Sequence, residues 1–285
     1  MFAFFGGLAP GGEMWYHGVT YKKERRYGAV IQVVFFDVDG TLFSHTKKGI
    51  SSSTRACLQA LRERRIRCVV STGRSMGELD ALLAGETFDG YITLNGQLCL
   101  DARRQVVYAN PFDQATRGRL ARLFQSGEIP VRLVEEQRVY MNRIDERVVE
   151  TQRAISTELP PVGAYTGAAI YQAILYVDQH QQADYQARLP GCTVTRWNPM
   201  AVDILPGNGS KANGILHYLE TVGLGPEEAM AFGDGENDME MLRLVHLGVA
   251  MGNASDQVKA CADYVTAHID QDGIAQALRA FQLID

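Results

Sequence analysis

A chain of 285 residues is large for one hydrophobic core and comfortable for two domains, so a single small domain is set aside first. Its hydrophobic fraction of 46 % and charged fraction of 21 % are those of a soluble globular protein, and no uninterrupted apolar run approaches a membrane span. The net charge of −5 argues against coating nucleic acid, and five cysteines with no CxxC pair or metal-ligand spacing (Cys57, Cys68, Cys99, Cys192, Cys261) point to a reducing, cytoplasmic setting.

Residues 1–29 read as an N-terminal extension. Met1–Phe5 is apolar but lacks a basic flank, and Gly6-Gly7 breaks it at once, so a signal peptide is not expected. The apolar, β-branched run Val30–Phe36 then predicts a buried strand, ended by the turn signal of Gly40. Ser53 is placed as the cap of a helix from Thr54 to about Arg65, with Cys57, Leu58 and Leu61 on one face. Cys68–Val70 is a second short strand, running into Ser71-Thr72-Gly73-Arg74. A helix over 76–84 and a third strand, Tyr91–Leu94, end at Asn95-Gly96. Two successive βα units predict a parallel sheet with right-handed crossovers.

The texture changes over 97–206, which read as an inserted α+β domain with strands at Val106–Tyr108, Val131–Val134, Val139–Met141, 170–177, 192–196 and 202–205. Helices are expected around 115–125 and 146–156. This segment carries 12 arginines, no lysine and 12 acidic residues. An all-arginine basic set suits phosphate or carboxylate recognition, and equally follows from genome composition. After Pro206 the βα rhythm returns: a helix from Lys211 to about Val222, the strand Ala229–Phe232, a helix to about Leu244, the strand Gly248–Ala250, a helix around 255–262, a strand at Tyr264-Val265 and a terminal helix near Asp272. The expected fold class is therefore α/β: a doubly wound, Rossmann-like parallel-sheet core built from 30–96 and 207–285, interrupted by the domain at 97–206.

Chemistry is expected at the strand ends. Asp37 and Asp39 in Asp37-Val38-Asp39-Gly40-Thr41 cannot both hide in a core, so they require a polar pocket and a cation. A calcium loop is ruled out, because Thr-Leu-Phe-Ser follows Gly40 instead of further acidic ligands. Asp37 can attack phosphorus to give an aspartyl-phosphate, and Asp39 can protonate a leaving oxygen and then deprotonate water. Thr72, followed by Gly73, offers a hydroxyl and N–H groups to a phosphoryl oxygen; Lys211 offers a compact positive charge to the phosphate and to Asp37. Asp234 completes a hard oxygen site for Mg²⁺, with Asn237 and Asp238 one turn further on to orient ligand and metal water, and Thr41 as a supporting residue. Taken singly, Thr72 reads as a helix cap, Lys211 as a surface lysine, and Asp234 and Asp238 as residues that favour a helix N-terminus through its dipole. The conjunction, in the order phosphoryl transfer requires, overrides those readings.

These residues resemble the four motifs of the haloacid dehalogenase superfamily, and of its phosphatases in particular, because Asp39 supplies the second aspartate that dehalogenases lack. The insertion point is similar to that of the type IIB cap of Cof-type sugar-phosphate phosphatases. Gly248–Ala254 and Asp272-Gly273-Ile274-Ala275 agree with that family. The resemblance implies Mg²⁺ held by Asp37, the Asp39 backbone carbonyl and Asp234, and phosphate held by Thr72, Gly73, Lys211 and Asn237. It also implies a cap that selects the substrate, for which Arg132, Arg138 and Arg143 are candidates if they face the cleft. The expected function is a Mg²⁺-dependent phosphomonoester hydrolase of small phosphorylated metabolites, acting as a monomer or small homo-oligomer without nucleic acid or membrane. A phosphotransferase or phosphomutase of the same superfamily, and a catalytically silent phospho-ligand-binding protein, are the alternatives.

Overall fold

The computed structural model of the chain describes residues 14–16, 19–21, 30–83, 85–154, 157–207 and 209–285. The reading of 1–29 as an extension falls outside these residues, apart from two short strands, β1 (Met14–Tyr16) and β2 (Val19–Tyr21), which pair antiparallel. The chain divides into two compact units. One joins Met1–Arg74, Glu78–Tyr108 and Ser210–Asp285; the other holds Ser75–Gly77 and Ala109–Gly209.

The first unit is built in βα steps: β3 (Val33–Phe36), α1 (Ser52–Glu63), β4 (Arg67–Ser71), α2 (Met76–Leu83), β5 (Gly90–Thr93), then β6 (Leu98–Asp101) and β7 (Val106–Ala109). All four residues of β3 are fully buried, which is why its apolar run does not alternate. The helix after β3 starts at Ser52, ahead of the Thr54 that the sequence suggests. Ser51, with extended backbone, accepts from the Thr54 N–H and is the cap in place of Ser53.

The second unit contains α3 (Gln114–Ser126), β8 (Val131–Val134), β9 (Val139–Met141), α4 (Glu146–Ala154), β10 (Gln172–Leu175), α5 (Gln179–Arg188), β11 (Cys192–Asn198) and β12 (Ala201–Pro206). Its five strands form an antiparallel sheet in the order β11-β12-β10-β8-β9. Leu120, Phe124 and Tyr185 from α3 and α5 pack on the face carrying Leu133, Ala173, Leu175 and Ile204. Val148 of α4 packs on the other face, with Met141, Ile174 and Tyr176. Helix α5 has no counterpart in the sequence reading. Its segment, QHQQADYQAR, buries Tyr185 alone, too little to show a helical period. A capping box between Asp178 and Gln181 starts it instead.

The first unit resumes with α6 (Lys211–Val222), β13 (Ala229–Gly233), α7 (Met239–Leu244), β14 (Leu247–Ala250), α8 (Asp256–Lys259), β15 (Tyr264–Val265) and α9 (Gly273–Ala280). Eight strands make one sheet in the order β15-β14-β13-β3-β4-β5-β6-β7. The pairs from β15 to β5 are parallel, and β6 turns back antiparallel on β5. Strands β6 and β7 thus correct the boundaries read from sequence. Leu98, Cys99 and Leu100 are apolar and buried, so the chain folds back onto the core sheet after Asn95-Gly96, and the inserted unit runs from Ala109 to Gly209 instead of 97–206. Helices α6 and α7 cover the sheet face presented by Val33 and Phe35. The strand order reverses at β3 and β13, and that switch point is where an open α/β sheet leaves a crevice at its carboxyl end. Among the described residues no helix is long and apolar enough to cross a membrane.

Candidate active site

Asp37 follows the last residue of β3, and its N–H donates to the Phe232 carbonyl of β13, 3.0 Å away, so the neighbouring strand fixes where the side chain starts. Lys211, the first residue of α6, is drawn inward: its Nζ lies 2.6 Å from Asp37 Oδ1 and 2.5 Å from Asp238 Oδ1, and the side chain is 1 % exposed. A lysine so completely buried is held there by its two carboxylates. Asp238 has a second task, accepting at Oδ2 from the N–H groups of Asp234 and Gly235, 2.9 Å each. Both its oxygens are therefore committed to positioning, and the expected orienting place of Asp238 takes the form of a bridge between Lys211 and the turn after β13.

Asp234 sits beside this pair. Thr41 Oγ1 donates to its Oδ1 at 3.1 Å and Asn253 Nδ2 to its Oδ2 at 3.0 Å. Gly40 has φ of 80°, and a Cβ there would lie 2.2 Å from Asp234 Oδ2, so this turn tolerates glycine alone. Asn253 also donates to the Gly40 carbonyl at 2.9 Å and accepts from the Ile269 N–H at 3.0 Å. It ties the two acidic segments together, and in the sequence it stands only as one letter of the segment Gly248–Ala254.

Carboxylate oxygens of Asp37, Asp234 and Asp238 gather within 4.8 Å of one another. Burial, then the charge of Asp238, pushes the Asp37 carboxyl well above its usual range, with Lys211 opposing. Burial and Asp238 likewise push Asp234 up to about 6, against Thr41, Lys211 and Asn253. For Lys211, burial favours the neutral form, but Asp238 and Asp37 outweigh it and raise the ammonium above its ordinary value. Three carboxylates face one ammonium. That surplus of negative charge, on hard oxygen donors, fits a divalent cation.

Asp39 is placed differently. Arg74 grips it through two bonds, Nε to Oδ2 at 2.6 Å and Nη2 to Oδ1 at 2.8 Å, and His45 Nε2 lies 2.8 Å from Oδ1. Burial pushes this carboxyl up, but Arg74 and His45 together hold it below the usual carboxylate range. In this arrangement Asp39 is held as a carboxylate. Arg74 was legible only as a letter of its motif, and His45 carried no signal at all. No backbone N–H or side-chain donor among the described residues is recorded on the Asp39 carbonyl oxygen.

Thr72 is buried at the end of β4, its N–H donating to the Ile92 carbonyl at 2.8 Å, and Gly73 follows, half-buried. Asn237 is exposed at the turn after β13, and its Nδ2 donates to Asn95 Oδ1 at 2.9 Å. Within the first unit, then, Asp37, Lys211, Asp234 and Asp238 form one cluster with Thr41. Gly73 and Asn237 meet at Asn95, and Asp39 stands off toward Arg74. The three arginines proposed for substrate selection are engaged inside their own unit: Arg143 pairs with Asp145 at 3.5 Å, Arg138 lies over the Tyr140 ring, and Arg132 exerts its charge on Asp203.

Residues 34–278 match the haloacid dehalogenase-like hydrolase family. The chain belongs to that family. It is a Cof-type member and a hydrolase of phosphoric monoester bonds. The putative phosphatase YkrA of Bacillus subtilis (strain 168) is 33 % identical over 256 residues, covering 89 % of this chain and 98 % of that protein. The haloalkanoate-superfamily phosphatase BT1666 of Bacteroides thetaiotaomicron has a similar structure, with a TM-score of 0.80 at 31 % identity, covering 91 % of this chain and 98 % of that one. The subclass IIB sugar phosphatase BT4131 gives a TM-score of 0.74 at 31 % identity, over 89 % of this chain and 100 % of that one. The parallel-sheet core with an inserted α+β unit is the architecture these relatives share.

Proposed function

We propose that the chain is a Mg²⁺-dependent phosphomonoesterase of small phosphorylated metabolites, sugar phosphates foremost, working through an aspartyl-phosphate on Asp37. The observation that carries the reading is the buried Lys211, bridging Asp37 and Asp238 beside Asp234. Asp37, Asp234 and the Asp39 carbonyl would hold the cation, which when bound offsets negative charge on the phosphoryl group and its nucleophile. Lys211 pins Asp37 through Oδ1 and leaves Oδ2 without a protein donor among the described residues. Asp37 attacks phosphorus, the bond to the leaving oxygen breaks, and that oxygen takes a proton from Asp39. Water then attacks the aspartyl-phosphate, Asp39 accepts its proton, and inorganic phosphate departs as the Asp37 carboxylate is restored. Thr72, Gly73, Lys211 and Asn237 would bind the phosphoryl oxygens. Because Arg74 and His45 keep Asp39 ionised, its first duty as an acid requires release from that grip, whereas its second, as a base, does not.

The sugar-phosphate preference is supported by the likeness to BT4131, a sugar phosphatase. Phosphate release from a panel of hexose, pentose, nucleoside and cofactor phosphates tests it, with and without a bisphosphorylated sugar. Hydrolysis strongest on the sugars, and independent of the bisphosphate, is the expected result. A requirement for the bisphosphate would identify a mutase, and no release from any monoester would leave a binding protein.

A further inference from the structure

The turn after β5 is strained. Leu94, Asn95 and Gly96 follow one another with φ of 54°, 53° and 88°, the left-handed region that glycine enters freely, asparagine tolerates and leucine enters only when held. The holding contacts are on both sides. Leu94 N–H donates to the Arg74 carbonyl at 3.1 Å and Asn95 N–H to the Thr72 carbonyl at 3.0 Å. A Cβ on Gly96 would lie 2.0 Å from the Ser210 carbonyl, so the turn also abuts the start of the helix that carries Lys211. Strain that the surroundings over-determine is found where a side chain must be presented in one way.

Asn95 is the side chain presented. It is 8 % exposed, and its Oδ1 accepts from Asn237. A Cβ on Gly73 would stand 3.1 Å from its Oδ1 and 3.2 Å from its Nδ2, so the carboxamide lies against the glycine of the phosphate loop. Among the described residues its Nδ2 donates to nothing. The residue is largely buried while this amide nitrogen is not among the buried unpartnered atoms, so the donor stands open between two groups read as phosphate binders, where a ligand oxygen can meet it.

We infer that Asn95 is a phosphate-site residue: its Nδ2–H donates to a non-bridging oxygen of the transferring phosphoryl group, while its Oδ1 turns Asn237 toward the same group. The inference rests on the phosphatase reading above and extends its binding set by one residue. It also suits Gly73, since a Cβ there would press on the carboxamide and shift it by a few tenths of an ångström.

Asn95→Asp and Asn95→Gly test it, because both residues tolerate left-handed backbone. Aspartate keeps the acceptor for Asn237 and replaces the donor with a repelling carboxylate; glycine removes the side chain and relaxes the turn. The probes are inorganic phosphate and orthovanadate, titrated calorimetrically with Mg²⁺ present, with kcat and KM measured in parallel. A lost hydrogen bond to a charged ligand predicts dissociation constants at least about tenfold higher for Asn95→Asp and about fivefold higher for Asn95→Gly. A residue that merely holds the turn would leave the aspartate variant's anion affinity unchanged. A change below about fivefold in Asn95→Asp overturns the inference, and if that variant does not fold, the same threshold applied to Asn95→Gly decides. Wild-type protein that binds vanadate but hydrolyses no monoester would instead remove the phosphatase reading on which the inference stands.

Discussion

Both units bury charge, and they treat it in opposite ways. In the first, Asp37, Asp234 and Asp238 crowd around Lys211, leaving carboxylates in excess of cations. In the inserted unit, Asp203 accepts from Trp197 Nε1 at 2.8 Å with Arg132 acting on it, and Glu135 accepts from Tyr140 at 2.5 Å and Thr166 at 2.7 Å. Each of those carboxylates is held singly by hydrogen bonds from within its own unit. A carboxylate held by its own unit's donors stabilises or specifies a fold, whereas a cluster with surplus negative charge suits a ligand. The contrast separates a reactive centre from a polar core without any appeal to motif.

The largest effect that would break the comparison concerns Asp37. Asp37→Asn replaces a nucleophilic carboxylate by an amide of the same shape and should lower kcat by about 10³-fold or more, with circular dichroism unchanged. Retention of a few per cent of the rate would mean that the cluster is not where the chemistry occurs. Cation removal comes next. Exhaustive chelation should abolish phosphate release, Mg²⁺ should restore it, and Ca²⁺, with its larger and looser shell, should not. Full activity after chelation would show that the surplus negative charge serves no metal.

A stability measurement sharpens the same point. Lys211→Met leaves Asp37 and Asp238 buried without their cation and should destabilise the metal-free protein by about 3 kcal/mol or more in urea unfolding. Adding Asp238→Asn should return part of that loss without returning activity, since one of the two orphaned charges is then gone. Additive losses in the double variant would show that the bridge between Lys211 and Asp238 carries no coupling.

What could be read from the chain follows the same division. Asp37, Thr72, Lys211 and Asp234 were legible because each ends a buried strand or opens the next helix, positions a βα rhythm marks even when the partners are 174 residues apart, as Lys211 and Asp37 are. Asn95, Asn253 and His45 were not. Their roles depend on contacts across 142, 213 and six residues, and that of Asn95 also on a left-handed backbone that no hydrophobic period encodes. The strands β6 and β7 were misplaced for a related reason: a hairpin back onto the sheet and the opening of a new domain look alike where apolar runs are only four residues long. Helix α5 was lost because its apolar stripe is one tyrosine.

The smallest expected effect lies in the inserted unit and tests the other side of the comparison. Burial pushes the Asp203 carboxyl up to about 6, against the opposing bonds of Trp197 and Gln172 and the charge of Arg132. The unfolded chain releases this proton near the ordinary 3.8. Between those values the folded state binds the proton more tightly, so the contribution of Asp203 is fully present below 3.8 and is lost as pH rises through about 6. A carboxamide at this position has no such proton to lose. Asp203→Asn should therefore match the wild type at acid pH and exceed it in stability at pH 8 by up to about 3 kcal/mol. Trp197 reports directly on this site, and Trp15, the other tryptophan in the chain, can be replaced by phenylalanine to isolate its fluorescence. Urea midpoints that differ equally at pH 5 and pH 8 would mean that ionisation of Asp203 costs nothing. The inserted unit's buried charge would then be matched even more closely than its hydrogen bonds indicate, and the contrast with the unbalanced cluster around Lys211 would widen.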